Sequence, residues 1–321
     1  MKRQFVKDLK IGAIVNDVFY CFRRDLKERR DGGQFLTFEI RDRSGVLPAI
    51  MWDNIEDGLN YIADGAFCHI QGKVNDYQGK PQVTISAIFP VEPIQVARTD
   101  FIAASPFDTA ELLRELHTYI DRVKNPHLHT LLKSLFSDQR FAERFAVAPA
   151  AVRVHHAWLS GLLEHTVMIC RQAVQLPEIY PGLNADLLLT GCILHDIGKV
   201  QEYTVERTID HTDEGRLIGH IVLGYQLVQE KIRQIENFPP DLAKMVLHMI
   251  LAHHGENQFG SPKTPKFPEA FLVFILDYLD SRLTIFRSAM ERNKGVKWTE
   301  FNDYLETDIY LGEPLADNPC Q

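Results

Sequence analysis

Between Ala185 and Leu194 the chain reads Ala-Asp-Leu-Leu-Leu-Thr-Gly-Cys-Ile-Leu, and it then sets a histidine beside an aspartate, His195-Asp196. The run reads as a mostly apolar helix, so the pair arrives where the chain is expected to be buried. An ionised carboxylate buried without a partner costs several kcal/mol, or its pKa shifts until it is neutral. Any fold for this chain must therefore bring compensating charge to Asp196.

The same chemistry recurs along the sequence. His165 sits in Gly161-Leu162-Leu163-Glu164-His165-Thr166, inside a helix expected to begin near Ala157. His220 follows Gly219 and opens an apolar run, and His253-His254 closes Met249–Ala252 just before Gly255, a residue suited to ending a helix. Asp277 lies within Phe271–Leu279, as apolar as any stretch in the chain. Nine of the 13 histidines fall between His155 and His254. Any one of these groups can be a satisfied core histidine or a capping aspartate. Seven of them in apolar helices would each need a separate partner, whereas one or two divalent cations satisfy them together.

Composition narrows the class. The chain has 321 residues, 45% hydrophobic and 24% charged, enough for two domains with real cores. No apolar run reaches membrane-spanning length, the start lacks a signal-peptide pattern, and the five cysteines carry no Cys-x-x-Cys spacing. A cytoplasmic protein without a disulfide framework, zinc ribbon or membrane association is expected. The net charge is −8, yet residues 1 to 95 hold 13 basic and 13 acidic residues, so the acidic excess lies entirely after them. That asymmetry suggests two modules with different tasks.

Five strand-like runs fill the first module: Ile11–Phe22, Gln34–Arg41, Val46–Asp53, Ala66–Val74 and Gln82–Phe89. Turn signals at Asp31-Gly32-Gly33, Ser44-Gly45 and Gln78-Gly79 separate them, and Asn54–Ile62 reads as a short helix after the third. This is the order of an all-β OB-fold barrel, which binds oligonucleotides or oligosaccharides on strands two and three and on the loops after strands one and four. The first of those loops is expected to carry Arg23, Arg24, Lys27, Arg29 and Arg30, and the other Lys73, Tyr77 and Lys80. Strand alternation turns Leu36, Phe38 and Ile40 to the core and leaves Phe35 outside as a candidate base-stacking surface. A solvated basic loop diluted by Asp25, Glu28 and Asp31, or a protein-binding barrel, is the competing interpretation.

Pro90, Pro93 and Ala103-Ala104-Ser105-Pro106 mark a linker, after which the pattern is helical, with Asp108 a candidate cap. The expected boundaries are a barrel over 1–92, a linker over 93–106, an all-α domain over 107–292, and an extension over 293–321 in which Lys294–Tyr304 reads as helical.

The order His165, His195-Asp196, Asp277 resembles the HD-domain superfamily of metal-dependent phosphohydrolases, and the intervening His220 and His253-His254 resemble its binuclear members. "HHAWLSGLLEHT", "LLLTGCILHDIGK", "TDEGRLIGHIVLGYQL" and "HMILAHHGENQFGSPKTP" together resemble the YhaM-type 3′-to-5′ exoribonucleases, in which an OB-fold precedes an HD domain. The resemblance implies one cation on His165, His195, Asp196 and Asp277, and a second on His220, His253 and His254, with Asp196 bridging. Manganese is favoured, iron or zinc would suit the mixed nitrogen and oxygen ligands, and magnesium suits them less well. It also implies hydrolysis of single-stranded RNA to nucleoside monophosphates, and it leaves single-stranded DNA and homo-oligomer formation open.

Asp196 and Lys199 are the catalytic candidates. Lys199 would hold a phosphate oxygen, unless it is only a helix C-terminal lysine favoured by the macrodipole. At about 100° per residue a straight helix turns His156 nearly opposite His165, so His155 and His156 are expected at the helix start, contacting substrate. Arg216 and Lys263 are candidate phosphate contacts whose default is the surface. No GYP tripeptide follows His253-His254, which argues against HD-GYP cyclic-dinucleotide phosphodiesterases, and the barrel argues against nucleotide triphosphate hydrolases. A non-catalytic OB-fold RNA-binding regulator is disfavoured because every expected ligand position is filled.

Overall fold

The computed structural model describes residues 2–29, 32–62, 65–152, 156–205, 208–293 and 295–312. They form two compact units, one built chiefly from residues up to 104 and the other from residues 105–205 and 209 onward.

In the first unit, strands β1 (Ile14–Glu28), β2 (Gln34–Asp42), β3 (Gly45–Met51), β4 (Ala66–Tyr77) and β5 (Lys80–Pro90) close into a barrel in the order β1-β2-β3-β5-β4. β3 and β5 run parallel and the other pairs antiparallel, with helix α1 (Ile55–Tyr61) between β3 and β4. This is an OB-fold. Period-two patterning fills its interior: Phe19, Leu36, Ile40, Met51, Ile70, Val74 and Val83 are buried, while Phe35, Thr37 and Glu39 alternate outward along β2.

The placement of the basic residues differs from expectation. Arg23, Arg24 and Lys27 do not lie in a loop, because β1 continues past Phe22 to Glu28. The pairing of β1 with β2 slips between Phe22 and Asp25, where Arg23 takes a φ of 54°, and then resumes as Asp25↔Thr37 to Glu28↔Gln34. A bulge at Arg23-Arg24 thus bends the strand where the sequence suggests it ends. Lys73 and Tyr77 likewise belong to β4 and Lys80 to β5, so only Gln78-Gly79 remains as the turn between them. Arg30 lies outside the described residues.

The second unit is helical: α2 (Thr109–Arg122), α3 (Pro126–Phe136), α4 (Gln139–Val147), α5 (Gly161–Ala173), the short α6 (Leu176–Ile179), α7 (Ala185–Leu194), the short α8 (Lys199–Glu202), a small β6–β7 pair (Tyr203–Thr204 and Asp210–His211), α9 (Asp213–Leu217), α10 (His220–Gln234), α11 (Pro240–Ala252) and α12 (Pro268–Arg292). Its caps follow the sequence: Asp108, Asn125, Asp138 and Asn184 each accept a backbone N–H of the first turn. α7 is the axis, with Leu187 through Leu194 all buried, and it packs against α2, α3, α5, α11 and α12. Two further expectations give way here. α5 starts at Gly161, not near Ala157, because Ser160 sits in the left-handed region. Residues 295–304 are not helical; this segment instead folds back on itself through bridges Trp298↔Tyr310 and Asn302↔Thr307.

Close approach at Gly198 fixes the turn that carries Asp196. A Cβ there would lie 2.0 Å from the His220 carbonyl oxygen and 2.5 Å from the Gly224 nitrogen, both backbone atoms of α10. Gly198→Ala is therefore expected to destabilise the helical unit by about 1–3 kcal/mol, the usual cost of overpacking, read as a lower urea midpoint. An unchanged midpoint would show that α8 and α10 separate at no cost.

Candidate metal centre

Five helices deliver the seven candidate ligands, mostly from their ends. His165 lies mid-α5 and Asp277 mid-α12, whereas His195 caps the C-terminus of α7, with Asp196 next in the turn. His220 opens α10 after Gly219, and His253 caps α11, followed by His254. Gly255, with φ of 76°, then turns the chain away as the sequence suggests. A Cβ on it would meet the Phe274 ring at 2.4 Å.

Each histidine is oriented by what its Nδ1 faces. The Nδ1 of His195 lies 2.9 Å from the Cys192 carbonyl, that of His253 2.7 Å from Ile250 O, and that of His254 3.0 Å from Phe259 O. The His165 Nδ1 lies 2.7 Å from Asp280 Oδ2, and the His220 Nδ1 3.0 Å from Glu202 Oε2. With Nδ1 facing an acceptor, each ring offers Nε2 as the ligand atom.

Four of those Nε2 atoms, from His165, His195, His220 and His253, gather around Asp196. Its Oδ2 is 3.3 Å from His195 Nε2 and 3.7 Å from His165 Nε2, and its Oδ1 is 3.5 Å from His220 Nε2 and 3.4 Å from His253 Nε2. Asp277 Oδ1 completes the first set at 3.3 Å from His165 Nε2. Among the described residues, one donor atom each from His165, His195, Asp196 and Asp277 lies within 4.8 Å of the others, and His220, His253 and His254 form a second such group. Asp196 Oδ1, His220 Nε2 and His253 Nε2 are buried with no hydrogen-bond partner. Buried lone pairs left in this way are the signature of a cation site, and mixed imidazole and carboxylate donors suit a divalent transition metal.

The electrostatics agree. Burial would raise the Asp196 pKa, but Lys199 and the surrounding imidazoles hold it well below the usual carboxylate range. Burial likewise opposes a charge on His165, yet the carboxylates of Asp277 and Asp280 push it up to about 10, so a cation binding there would displace a proton from this ring. Burial, with His253 alongside, pushes His254 down to about 4, so at neutral pH it is an uncharged imidazole, the form that ligates.

Lys199 is not the helix C-terminal lysine that one reading of the sequence expects, and it lines the cavity at the centre. It is the first residue of α8, not the last of a helix, and its Nζ lies 2.6 Å from Asp196 Oδ2. His156 departs further: it precedes α5, is buried, and its Nε2 lies 2.8 Å from the same Asp280 Oδ2 that faces His165. It supports a ligand and does not line the cavity at the metal centre. His155 lies outside the described residues. Arg216 is an exposed partner of Asp210 at 3.0 Å, and Lys263 is exposed; neither lines that cavity. Asp280 and Glu202 escaped the sequence analysis. Asp280 had a signal, standing three residues after Asp277 on the same face of α12, whereas Glu202 reaches His220 only through the tertiary fold.

On the barrel, the half-buried Phe35 ring lies 4.8 Å from that of Trp52, which is 40% exposed and escaped the sequence analysis. The Arg29 guanidinium sits 4.8 Å over Trp52 and donates to the Trp52 carbonyl. Arg23 pairs with Glu39 at 3.1 Å, and Arg24 donates to the Leu59 carbonyl. Lys73, Tyr77 and Lys80 are exposed along the β4–β5 hairpin.

Comparison with known proteins gives this geometry its lineage. The chain is 34% identical over 268 residues to the 3′-5′ exoribonuclease YhaM of Shouchella clausii, covering 83% of each chain. The chain belongs to the YhaM family. Its YhaM relative from Bacillus pumilus is 33% identical over 84% of this chain and 85% of its own, and that from Listeria innocua 33% identical over 91% and 93%. An OB-fold nucleic acid binding domain model matches residues 21–91 and an HD domain model residues 162–282, in agreement with the barrel and the helical unit seen here.

Two measurements check the centre. A divalent cation in excess should raise the melting temperature of the protein, since a ligand at about 100 times its Kd stabilises by about 2.7 kcal/mol, and Asp196→Asn should abolish that shift. Asp280→Asn should keep the fold but weaken metal affinity by about 10- to 100-fold, the usual loss when an outer partner of a ligating histidine is removed. Wild-type affinity in Asp280→Asn would mean that His165 is oriented by packing alone.

Proposed function

We propose that this protein is a metal-dependent 3′-to-5′ exoribonuclease that shortens single-stranded RNA to nucleoside monophosphates. The observation carrying this reading is the division of the Asp196 carboxylate, Oδ2 toward His165 and His195 and Oδ1 toward His220 and His253. Two cations fit that division, one held by His165, His195, Asp196 and Asp277 and one by Asp196, His220, His253 and His254. Mn²⁺ is favoured, with Fe²⁺ or Zn²⁺ next and Mg²⁺ less suited to so many nitrogen ligands. Divalent cations held there supply a nucleophile generated from water near neutral pH and offset charge on the phosphoryl group.

The chain's own groups do the rest. Asp280 and Glu202 fix the rings of His165 and His220, so the donor atoms are in place before substrate binds. Lys199 lines the cavity at the centre and stays charged: burial would lower its pKa, but Asp196 and Asp277 raise it above the ordinary value. In this reading its ammonium would hold a phosphate oxygen as that oxygen gains negative charge. On the barrel, Phe35 and Trp52 offer stacking faces, and Arg23, Arg24, Lys73, Tyr77 and Lys80 supply contacts to the strand. The barrel spans residues 1–92 and the hydrolytic domain 107–292, with 93–106 linking them. Single-stranded DNA is a second substrate class on the same chemistry, and a cytoplasmic setting goes with RNA trimming. An exposed apolar stripe on α12, Ile275, Leu279, Leu283 and Phe286, supports self-association.

The direct test is product analysis on 5′-end-labelled RNA and DNA oligomers with Mn²⁺, Zn²⁺ or Mg²⁺. A ladder shrinking from the 3′ end with mononucleotide products is expected, strongest with Mn²⁺ on RNA; internal cuts alone would refute exonuclease action. Lys199→Ala should lower turnover while retaining metal. Trp52→Ala should weaken binding of a long strand by about 1–3 kcal/mol, the contribution of one stacked base, and act less on a dinucleotide, which has fewer bases to stack. Equal losses on both substrates would place Trp52 in the folding of the barrel.

A further inference from the structure

The cavity beside the metal centre has a half that metal ligation does not use. Its volume is about 370 Å³, within the range of small-molecule pockets. Lys199, His220, His254 and Asp277 line it, and five of its ten other lining residues are aromatic, among them Phe259, Phe274, Tyr278 and Tyr304. Two of these rings neighbour Tyr278, Phe259 with its centroid at 6.5 Å and Phe274 at 6.0 Å. Tyr278 is 41% and Phe259 45% exposed, so neither ring is buried in the core.

The aromatic wall is tied to the metal ligands by helix periodicity. Phe274, Asp277, Tyr278, Ser281 and Arg282 all line the cavity from α12 and recur at helical spacing, so a metal ligand and the wall share one face. At about 1.5 Å of rise per residue, the positions beyond Asp277 extend over about 2–8 Å, the scale of a single nucleoside. Arg282 sits 4.8 Å over the Tyr278 ring and donates to the Tyr304 carbonyl. It thereby holds in the cavity wall a residue of the C-terminal segment, which is itself closed by the Trp298↔Tyr310 and Asn302↔Thr307 bridges. The segment has no part in ligating metal, yet its Tyr304 reaches the centre's own cavity.

A ligand matching both halves has an anionic group at one end and a flat, largely uncharged ring at the other. We infer that the aromatic half binds the 3′-terminal nucleobase of the RNA, with its 5′-side phosphate at the metal centre, and that the C-terminal segment completes this subsite through Tyr304. The inference rests on the exonuclease reading and adds to it the place of the departing nucleoside. Ring faces accept every base because each has a π-face, so such a subsite admits any 3′ end without reading its sequence.

The test compares two RNA oligomers identical except that the 3′-terminal nucleotide of one lacks its base, using the parent and the variants Tyr278→Ala, Tyr304→Ala and Tyr278→Phe. The parent should release the first nucleotide from the ordinary end about 5- to 100-fold more efficiently, the range that stacking of one base supplies. Tyr278→Ala and Tyr304→Ala should lose most of that preference by slowing on the ordinary end alone, with metal content unchanged, and Tyr278→Phe should keep it. Calorimetry on the Mn²⁺-loaded parent should likewise find uridine 5′-monophosphate bound more tightly than ribose 5-phosphate. Equal handling of the two RNAs by an active parent, or equal affinity for the two phosphates, would overturn the subsite while leaving exonuclease action intact. A parent that shortens neither RNA would overturn both.

Discussion

The helical unit is organised around one buried carboxylate. Asp196 is 2% exposed, and its neighbours are imidazoles, Asp277 and a lysine. The two histidine groups that approach its oxygens come from different helices, so removing any one helix leaves charge or lone pairs uncompensated in a low-dielectric interior. The cost of leaving such a group without partners exceeds what a single apolar contact contributes, and that asymmetry selects the arrangement of α5, α7, α10, α11 and α12.

Orientation is the second requirement, and it is met from outside the ligand set. Three histidines turn Nδ1 to carbonyls at or just beyond helix ends, where intrahelical partners are missing. His165 and His220 lie elsewhere on their helices and use carboxylates, Asp280 and Glu202. Asp280 is shared with His156, which in turn lies 3.6 Å from Glu164. A chain of alternating imidazole and carboxylate groups thus runs outward from the centre through α5 and α12, and Gly198 lets α10 approach closely enough to bring His220 to Asp196.

What the sequence reveals depends on how local its cause is. The five strands, the helix after the third, and the inward set Leu36, Phe38 and Ile40 were legible because alternation is a property of a few consecutive residues. The seven residues gathered at the centre were legible because polar groups in apolar helices need a common partner. The bulge at Arg23-Arg24 was hidden, since two arginines read equally well as a loop. His156 was expected near the helix start, contacting substrate; it does precede α5, but it faces Asp280 of α12, a long-range pairing that no local pattern registers. Trp52, Glu202 and Tyr304 gain their roles from partners far along the chain, which periodicity cannot register.

The central proposal is that Asp196 would be shared by two cations, one on each side of its carboxylate. Electron paramagnetic resonance of the protein loaded with Mn²⁺ addresses it directly, because two ions sharing a carboxylate couple magnetically whereas separate ions do not. The expected spectrum is that of an exchange-coupled pair at saturation. An isolated-ion spectrum at every loading, with saturation at one Mn²⁺ per chain, would contradict the bridge.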